Sequence, residues 1–297
     1  MIQQSKSLLA VAALTGSLLF SGSCKNLTSE DFGTLAEVGA VIAGKEDEAQ
    51  KIGQAARNIA TAFEQIDLEA ERSLGGGVAL RAVSSIGTLH PNEDLHRYVN
   101  LVGLYVSQYG ERVDVPYAFA VLENETPNAF AGPGGYVFIT SGALRLMDSE
   151  AELAGVLAHE IAHIEQKHML KTYQRARMFT AAVSTAQALE DNIDEYTELI
   201  DYSTETLFEK GLDQRFEFNA DMEAIRMAAA AGYDPKGLIV FLEKLETVTE
   251  YQGGWFKTHP SLSTRVSKLY DFYGTELGAP TGEALGARFE ENVRGAL

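Results

Sequence analysis

The stretch LAHEIAHIEQKH, residues 157–168, places three histidines and two glutamates within twelve residues. Each residue of a helix turns by about 100°, so His159 and His163 lie on one face, one turn apart. Their imidazoles can bind a single ion at about 2.0–2.1 Å, the distance that zinc takes to nitrogen. Glu160 stands beside them and can accept a proton from a water molecule that attacks a carbonyl group. The H-E-x-x-H pattern therefore predicts one zinc ion per chain and a general base.

The surroundings of this motif indicate that its helix is buried. Residues 153–164 are apolar nearly all round the helix, and Ser149 with Glu152 forms a capping-box pattern at its start. Imidazoles and a carboxylate buried there without partners would cost free energy, which favours a metal site. The alternative is a pair of core histidines and a surface glutamate.

The third histidine of the stretch, His168, stands nine residues after His159 and so about 180° around the same helix. We therefore expect it to face away from the ion, as a surface or packing residue. The metzincin pattern would also require a glycine and a histidine at later positions, where Gln166 and Met169 stand. The third ligand must then come from another segment.

Two copies of the pattern E-x-x-x-D offer that ligand downstream. Gly211 interrupts the first copy, Glu209 with Asp213, whereas the second lies in the strong helix former EFNADMEAIRMAAAA. Glu217 and Asp221 share one face of that helix. We predict that Glu217 binds the metal and that Asp221 orients a liganding histidine through its other ring nitrogen. The alternative for this pair is a solvated acidic face.

The composition is that of a globular protein with a sizeable core, since 45% of the 297 residues are hydrophobic. The formal net charge of −18 leaves no basic patch for phosphate groups. This charge argues against a nucleic-acid partner and against electrostatic attraction to anionic lipid. The oligomeric state is left open.

The first 24 residues have the layout of a bacterial lipoprotein signal peptide. One lysine precedes an apolar run at 8–20, well short of the roughly 20 residues of a membrane-spanning helix. The sequence SGSC resembles a lipobox, although Ser21 stands where leucine is usual. We expect cleavage of residues 1–23, a lipid on Cys24 and, because Lys25 rather than aspartate follows, attachment to the outer membrane in the periplasm. The alternative is a secreted chain with a free thiol.

Hydrophobic periodicity predicts an α+β fold that is mostly helical. Apolar positions three and four residues apart indicate a helix over 52–71, which the glycines of LGGGVA, 74–79, break or bend. A second helix is expected at 92–108. The stretches VPYAFAVLEN, 115–124, and GYVFIT, 135–140, are rich in aromatic and β-branched residues. They predict two strands joined by a loop, in a small sheet or hairpin beside the H-E-x-x-H helix.

Four motifs together resemble one family of zinc peptidases. They are NAFAGPGGYVFITSGAL, LAHEIAHIEQKH, RFEFNADMEA and THPSLSTRV, and they cover residues 71–273 with the segments between them. In order and form they are similar to the gluzincin metallopeptidases, which include HtpX-type membrane peptidases and CAAX prenyl proteases. The chain lacks the membrane helices of the multi-pass branches and the tetratricopeptide extension of some relatives. It therefore resembles the soluble, periplasmic lipoprotein branch, with a zincin-like fold.

The resemblance implies roles for residues of the substrate cleft. Asn128 would hydrogen-bond the substrate backbone. Gly135 and Tyr136 open the strand GYVFIT, which would flank or form the edge strand along which an extended peptide lies. The alternative for Asn128 is a plain turn residue.

The resemblance also implies roles for two residues of the last motif. His259 would stabilise the oxyanion of the tetrahedral intermediate. Arg265 would steady that site or Asp221. The alternatives are a residue at the start of a helix for His259 and a surface charge for Arg265.

These patterns divide the chain into a signal peptide at 1–23, a tether at 24–45, a zinc metallopeptidase domain at 46–275 and a C-terminal tail at 276–297. The segment 178–209 has acidic residues, no lysine or arginine, and apolar residues at helical spacing. We expect it to cover the active site partly and to move when substrate enters.

The sequence thus predicts a zinc-dependent endopeptidase of the bacterial envelope that hydrolyses unfolded or misassembled envelope proteins. A zinc-containing chaperone-like or latent client-binding lipoprotein is the alternative, and Glu160 argues against it. A structural lipoprotein without a site would leave the four motifs unexplained.

Overall fold

The computed structural model describes most of the chain, in two compact units. The smaller unit comprises the described residues up to Asp67 together with 170–173, and the larger comprises Leu68–Met169 and those from 200 onward. The described residues are 29–42, 44, 47, 49–64, 66–173, 200–202, 205, 212–248, 259 and 262–297. The predicted signal peptide, Cys24 and most of the acidic segment lie outside them.

The smaller unit contains two helices, α1 (Ser29–Ile42) and α2 (Ala49–Glu64). Small side chains let them pack closely, and a Cβ on Gly33 would stand 2.2 Å from Cγ of Arg57. Their shared core consists of Ala36, Ala40, Ala49, Ile52 and Ala56. Helix α1 falls within 24–45, the segment that was assigned to a tether and for which no helix was predicted.

The predicted break at the glycines of LGGGVA is wrong. The break lies before Leu68, and the glycines stand in the middle of α3 (Leu68–Ser85). A Cβ on Gly75 would come within 1.8 Å of the Pro133 carbonyl oxygen, and one on Gly77 within 2.5 Å of the Ile200 side chain. The glycines therefore permit close approach to α3 rather than ending it.

The larger unit has a three-stranded sheet made of β1 (Ala118–Leu122), β2 (Ala129–Gly132) and β3 (Tyr136–Thr140), in the order β1-β3-β2. Strand β3 is parallel to β1 and antiparallel to β2. The sequence predicted β1 and β3 but assigned β2 to a loop, because four buried residues show no alternation. Strand β3 is consequently central and flanks the edge strand β2.

Further helices of the larger unit are α4 (Glu93–Ser107), α5 (Ser141–Leu146), α6 (Glu150–Glu165), α7 (Gln214–Ala230), α8 (Gly237–Thr247) and α9 (Leu262–Thr275). Helix α6 carries the H-E-x-x-H motif, is buried along nearly its whole length and packs against α4, α7 and α8. Asn92 caps α4 by accepting hydrogen bonds from the backbone N–H groups of Asp94 and Leu95, and Ser149 caps α6 as the capping-box pattern predicted.

The segment 276–297, assigned to a tail, packs into the core of the larger unit. It forms α10 (Gly286–Phe289) and a π-helical turn (Glu290–Arg294), from which Phe289 and Val293 are fully buried. The α+β, mostly helical fold class is confirmed. None of the described helices combines the length and the hydrophobicity that a membrane span requires.

Candidate metal centre

Helix α6 brings the three residues of the H-E-x-x-H motif into the interior. His159, Glu160 and His163 are all buried. The Nε2 atoms of the two histidines lie 3.0 Å apart, so both rings point to one place, as the helical spacing predicted. The burial of α6 follows from its apolar residues, which leave no face exposed.

Helix α7 adds Glu217 to this pair. Its Oε2 lies 3.6 Å from Nε2 of His159, and its Oε1 lies 3.5 Å from Nε2 of His163. Ligand atoms around a tetrahedral zinc ion are about 3.3 Å apart. Within the part of the chain that the structure describes, Oε1 of Glu217 is buried without a hydrogen bond. Two imidazole nitrogens and a carboxylate at these distances fit a divalent metal ion.

The competing E-x-x-x-D pair does not supply this ligand in the described structure. Asp213 is the N-cap of α7, where its side chain accepts a hydrogen bond from the backbone N–H of Arg215. Glu209 lies outside the described residues. Among the described residues of the two pairs, Glu217 is thus the one whose carboxylate lies beside Nε2 of both histidines.

His259, for which the sequence predicted oxyanion stabilisation, also lies beside these residues. Its Nδ1 lies 2.7 Å from Oε2 of Glu217 and 3.4 Å from Nε2 of His159. Its Nε2 is 3.7 Å from Oε1 of Glu160. His259 therefore joins His159, His163 and Glu217 in a group whose ligand atoms all lie within 4.8 Å of one another.

Asp221 and Arg265 contact the side chains of His159 and Glu217. Oδ1 of Asp221 lies 3.0 Å from Nδ1 of His159, and Arg265 donates two hydrogen bonds to the Asp221 carboxylate, at 2.6 and 2.7 Å. Nη1 of Arg265 is 3.1 Å from Oε2 of Glu217. Arg265 is fully buried, so the surface-charge alternative is wrong, and its guanidinium contacts both acidic residues.

Burial and these contacts shift the pKa values of the cluster in different directions. Burial acts to lower the pKa of His159, but hydrogen bonds with Asp221 and Glu217 outweigh it and raise the pKa to about 9. Burial also lowers the pKa of His163 and raises that of Glu160. Burial opposes ionisation of Glu217, yet His259 and Arg265 hold its pKa well below the usual range. A metal ion binding at His159 would have to displace the proton that the raised pKa favours on this ring.

His168 is placed differently from its sequence interpretation. It is buried, and its Nδ1 lies 2.8 Å from Nδ1 of His163. The extrapolated helix fails here because α6 ends at Glu165 and Lys167 adopts a positive φ of 52°, which redirects the chain. Among the described residues, His168 is not part of the group that could hold a metal ion, but it contacts His163, a member of that group.

The predicted substrate residues lie at the start of the edge strand β2 and at the turn into the central strand β3. Asn128 precedes β2 and is buried, with an Oδ1 that makes no hydrogen bond to any described residue. Gly135 belongs to the turn between β2 and β3 and has a φ of 104°. Tyr136 begins β3 under the guanidinium of Arg72, 4.7 Å from the ring centroid. Of these three residues, Asn128 has a buried side-chain acceptor without a hydrogen bond from the described residues, whereas Gly135 and Tyr136 pack against neighbouring segments.

Known proteins match the part of the chain that holds these residues. Residues 90–272 match the model of peptidase family M48. The beta-barrel assembly-enhancing protease of Escherichia coli (strain K12) is 25% identical over 79% of this chain and 49% of its own length. That of Yersinia pestis is 31% identical over 58% of this chain and 38% of its own.

A eukaryotic relative matches as well. The mitochondrial metalloendopeptidase OMA1 of Schizosaccharomyces pombe is 28% identical over 57% of this chain and 52% of its own length. The chain therefore spans about half the length, or less, of these relatives. The gluzincin resemblance drawn from the four motifs is confirmed.

Proposed function

The chain belongs to peptidase family M48, and from that premise we propose that it is a zinc-dependent endopeptidase of the bacterial cell envelope. The observation that carries the proposal is the buried cluster of His159, His163 and Glu217, whose ligand atoms are 3.0–3.6 Å apart, with Glu160 beside it. The metalloendopeptidase names of its relatives support hydrolysis of internal peptide bonds.

The residues around the cluster suit peptide hydrolysis. A zinc ion held by His159, His163 and Glu217 would polarise the peptide carbonyl and make water more acidic. Glu160 has a raised pKa and takes a proton from the attacking water, then passes it to the leaving amine. An extended substrate pairs with the edge strand β2, and Oδ1 of Asn128 accepts a hydrogen bond from its backbone.

We further propose that the substrates are unfolded or misassembled envelope proteins. Relatives named beta-barrel assembly-enhancing protease support an envelope substrate.

The sequence of residues 1–24 supports export and a lipid on Cys24, with the outer membrane favoured by Lys25. Cys24→Ser should then move the protein from the membrane to the soluble periplasmic fraction, and a variant that still sediments with membranes contradicts the anchor.

The proposed activity is tested with the full chain on an unfolded outer-membrane protein, with zinc content measured beside cleavage. The parent should cut the unfolded polypeptide and spare the folded one, while Glu160→Gln should keep its zinc and lose cleavage. Zinc-loaded parent that cuts no faster than Glu160→Gln counts against the proposal.

The position of His259 favours a second candidate, a latent form of the enzyme. Catalytic zinc sites keep an open position, whereas four protein ligands are typical of closed sites. With His259 in the ligand group, the resting protein would bind unfolded clients and cut slowly. His259→Ala separates the two candidates, because cleavage rises if the side chain blocks the fourth position and falls if it stabilises the oxyanion.

A further inference from the structure

The two liganding histidines are held by partners of different chemistry. A histidine that binds metal through Nε2 carries its proton on Nδ1, and the group that accepts this proton fixes the ring and its tautomer. Nδ1 of His159 faces Asp221, 3.0 Å away. Nδ1 of His163 faces Nδ1 of His168 at 2.8 Å. We propose that His168 is a positioning residue that accepts the Nδ1–H of His163, an inference that rests on the proposed metal centre.

Contacts on the other side of His168 fix it in the accepting tautomer. Its Nε2 lies 3.1 Å from the side-chain oxygen of Gln166, which can only accept, so Nε2 carries the proton. Nδ1 is then left with a lone pair directed at His163. In this tautomer His163 donates to His168, and His168 donates to Gln166.

Packing holds the same ring in place. His168 is about 1% exposed and stacks on Phe216, with ring centroids 4.2 Å apart and an interplanar angle of 19°. Phe216 precedes Glu217 in α7. His168 therefore contacts one ligand directly and packs against the neighbour of another, which links the end of α6 to the start of α7.

The balance of buried charge explains why a neutral acceptor suits this position. Glu160, Glu217 and Asp221 are buried carboxylates, and Arg265 is the buried cation beside them. With a divalent metal ion, these charges sum to zero. A carboxylate in place of His168 would leave a negative charge in excess in the interior, which is costly. An imidazole accepts the hydrogen bond without adding charge.

The test compares two variants of the full chain by their zinc affinity, measured in competition with a chelator. His168→Phe keeps a ring for stacking and removes the acceptor, whereas His168→Asn places an amide oxygen two bonds from Cβ, where Nδ1 stands. We expect His168→Phe to bind zinc about 10–100-fold more weakly and His168→Asn to stay close to the parent. His90→Phe, the same substitution outside the cluster, should change nothing.

The unfolding temperature of each metal-free variant shows whether the fold is kept. A His168→Phe variant that binds zinc as tightly as the parent overturns the proposal, and so does an equal loss in His168→Asn. If His168→Phe does not fold, nitrogen-15 chemical shifts of the zinc-loaded parent decide: Nδ1 of His163 should carry a proton and Nδ1 of His168 should not, and the reverse overturns it. A parent that binds no zinc contradicts the proposed function itself, and this inference with it.

Discussion

Helix α6 carries two glutamates that are equally buried but differ in the hydrogen bonds that they accept. Glu150, in its first turn, and Glu160, beside the histidines, are each about 1% exposed. Glu150 accepts hydrogen bonds from the hydroxyls of Tyr98, at 2.7 Å, and Tyr233, at 2.6 Å, and two more from Arg288. Oε1 of Glu160 accepts none from the residues that the structure describes.

The difference appears in the pKa values of the two carboxyl groups. Burial raises both, but at Glu150 the hydrogen bonds from Arg288, Tyr233 and Tyr98 outweigh burial and lower the pKa. At Glu160 burial dominates and the pKa is raised. A buried carboxylate whose hydrogen bonds are complete stabilises the fold, whereas one that is left open is available to take a proton. Burial alone therefore does not distinguish a structural acid from a catalytic one.

The largest effect is expected at Glu217, which among the described residues is the second buried carboxylate with an oxygen that makes no hydrogen bond. Glu217→Ala removes a ligand and should lose both zinc and all cleavage activity. Asp213→Ala, four residues earlier, removes the N-cap of α7 and should cost about 0.5–2 kcal/mol of stability with zinc retained. Metal analysis and a peptide cleavage assay on both variants check this. Full zinc in Glu217→Ala would contradict the ligand assignment.

The cluster of candidate metal ligands was predictable because it depends on local spacing. His159 with His163, and Glu217 with Asp221, each stand four residues apart in a helix, so the sequence alone fixes their shared faces. The sequence could also suggest a buried helix from its apolar flanks. A pattern within one regular element is therefore a sound guide to this site.

Contacts between distant or irregular segments were not predictable in this way. His168 meets His163 only because Lys167 turns the chain at a positive φ, which no periodicity reveals. Strand β2 is too short to show a pattern, and its edge position depends on pairing with β3. Glu150 is bound by Arg288, 138 residues away, so its role was invisible to motif reading.

The second expected effect concerns Glu160 itself. Glu160→Gln keeps the shape of the side chain and removes the proposed general base, a role that typically contributes about 10²–10⁴-fold in rate. The rate constant for peptide cleavage at saturating substrate should fall by that factor while zinc content stays the same. A Glu160→Gln variant that cleaves normally would mean that another group transfers the proton. Glu160 would then not differ from Glu150 in function.

Substitution of Glu150, in the same helix, should lower the stability of the protein without changing its catalytic rate. Glu150→Ala leaves the buried hydroxyls of Tyr98 and Tyr233 without their acceptor, at about 1–3 kcal/mol each. We expect a loss of roughly 2–5 kcal/mol in urea denaturation, with zinc content and turnover of the folded protein unchanged. Arg288→Ala is the matched control and should lose less, because the Arg288 side chain is half exposed to solvent.

The smallest effect is the pH dependence of that stabilisation, and its sign follows from the lowered pKa of Glu150. A carboxyl group whose pKa is lower in the folded state stabilises the fold fully above its unfolded pKa, here near 4.5, and loses the contribution as pH falls through the folded value. The stability difference between the parent and Glu150→Gln should therefore be constant from about pH 7 to 5 and shrink below about pH 4.5.

Tyr233→Phe sharpens the measurement, because it removes one of the hydrogen bonds that lower the pKa of Glu150. In the Tyr233→Phe background the difference between Glu150 and its glutamine variant should begin to shrink at the same pH, which the unfolded pKa sets. It should be smaller at neutral pH and reach its low-pH limit at a higher pH than in the parent. Urea denaturation of the four proteins across this range gives both differences. A difference that grows as the solution is acidified means that Glu150 is protonated more readily in the fold than in the unfolded chain. Its pKa would then be raised, like that of Glu160, and not lowered.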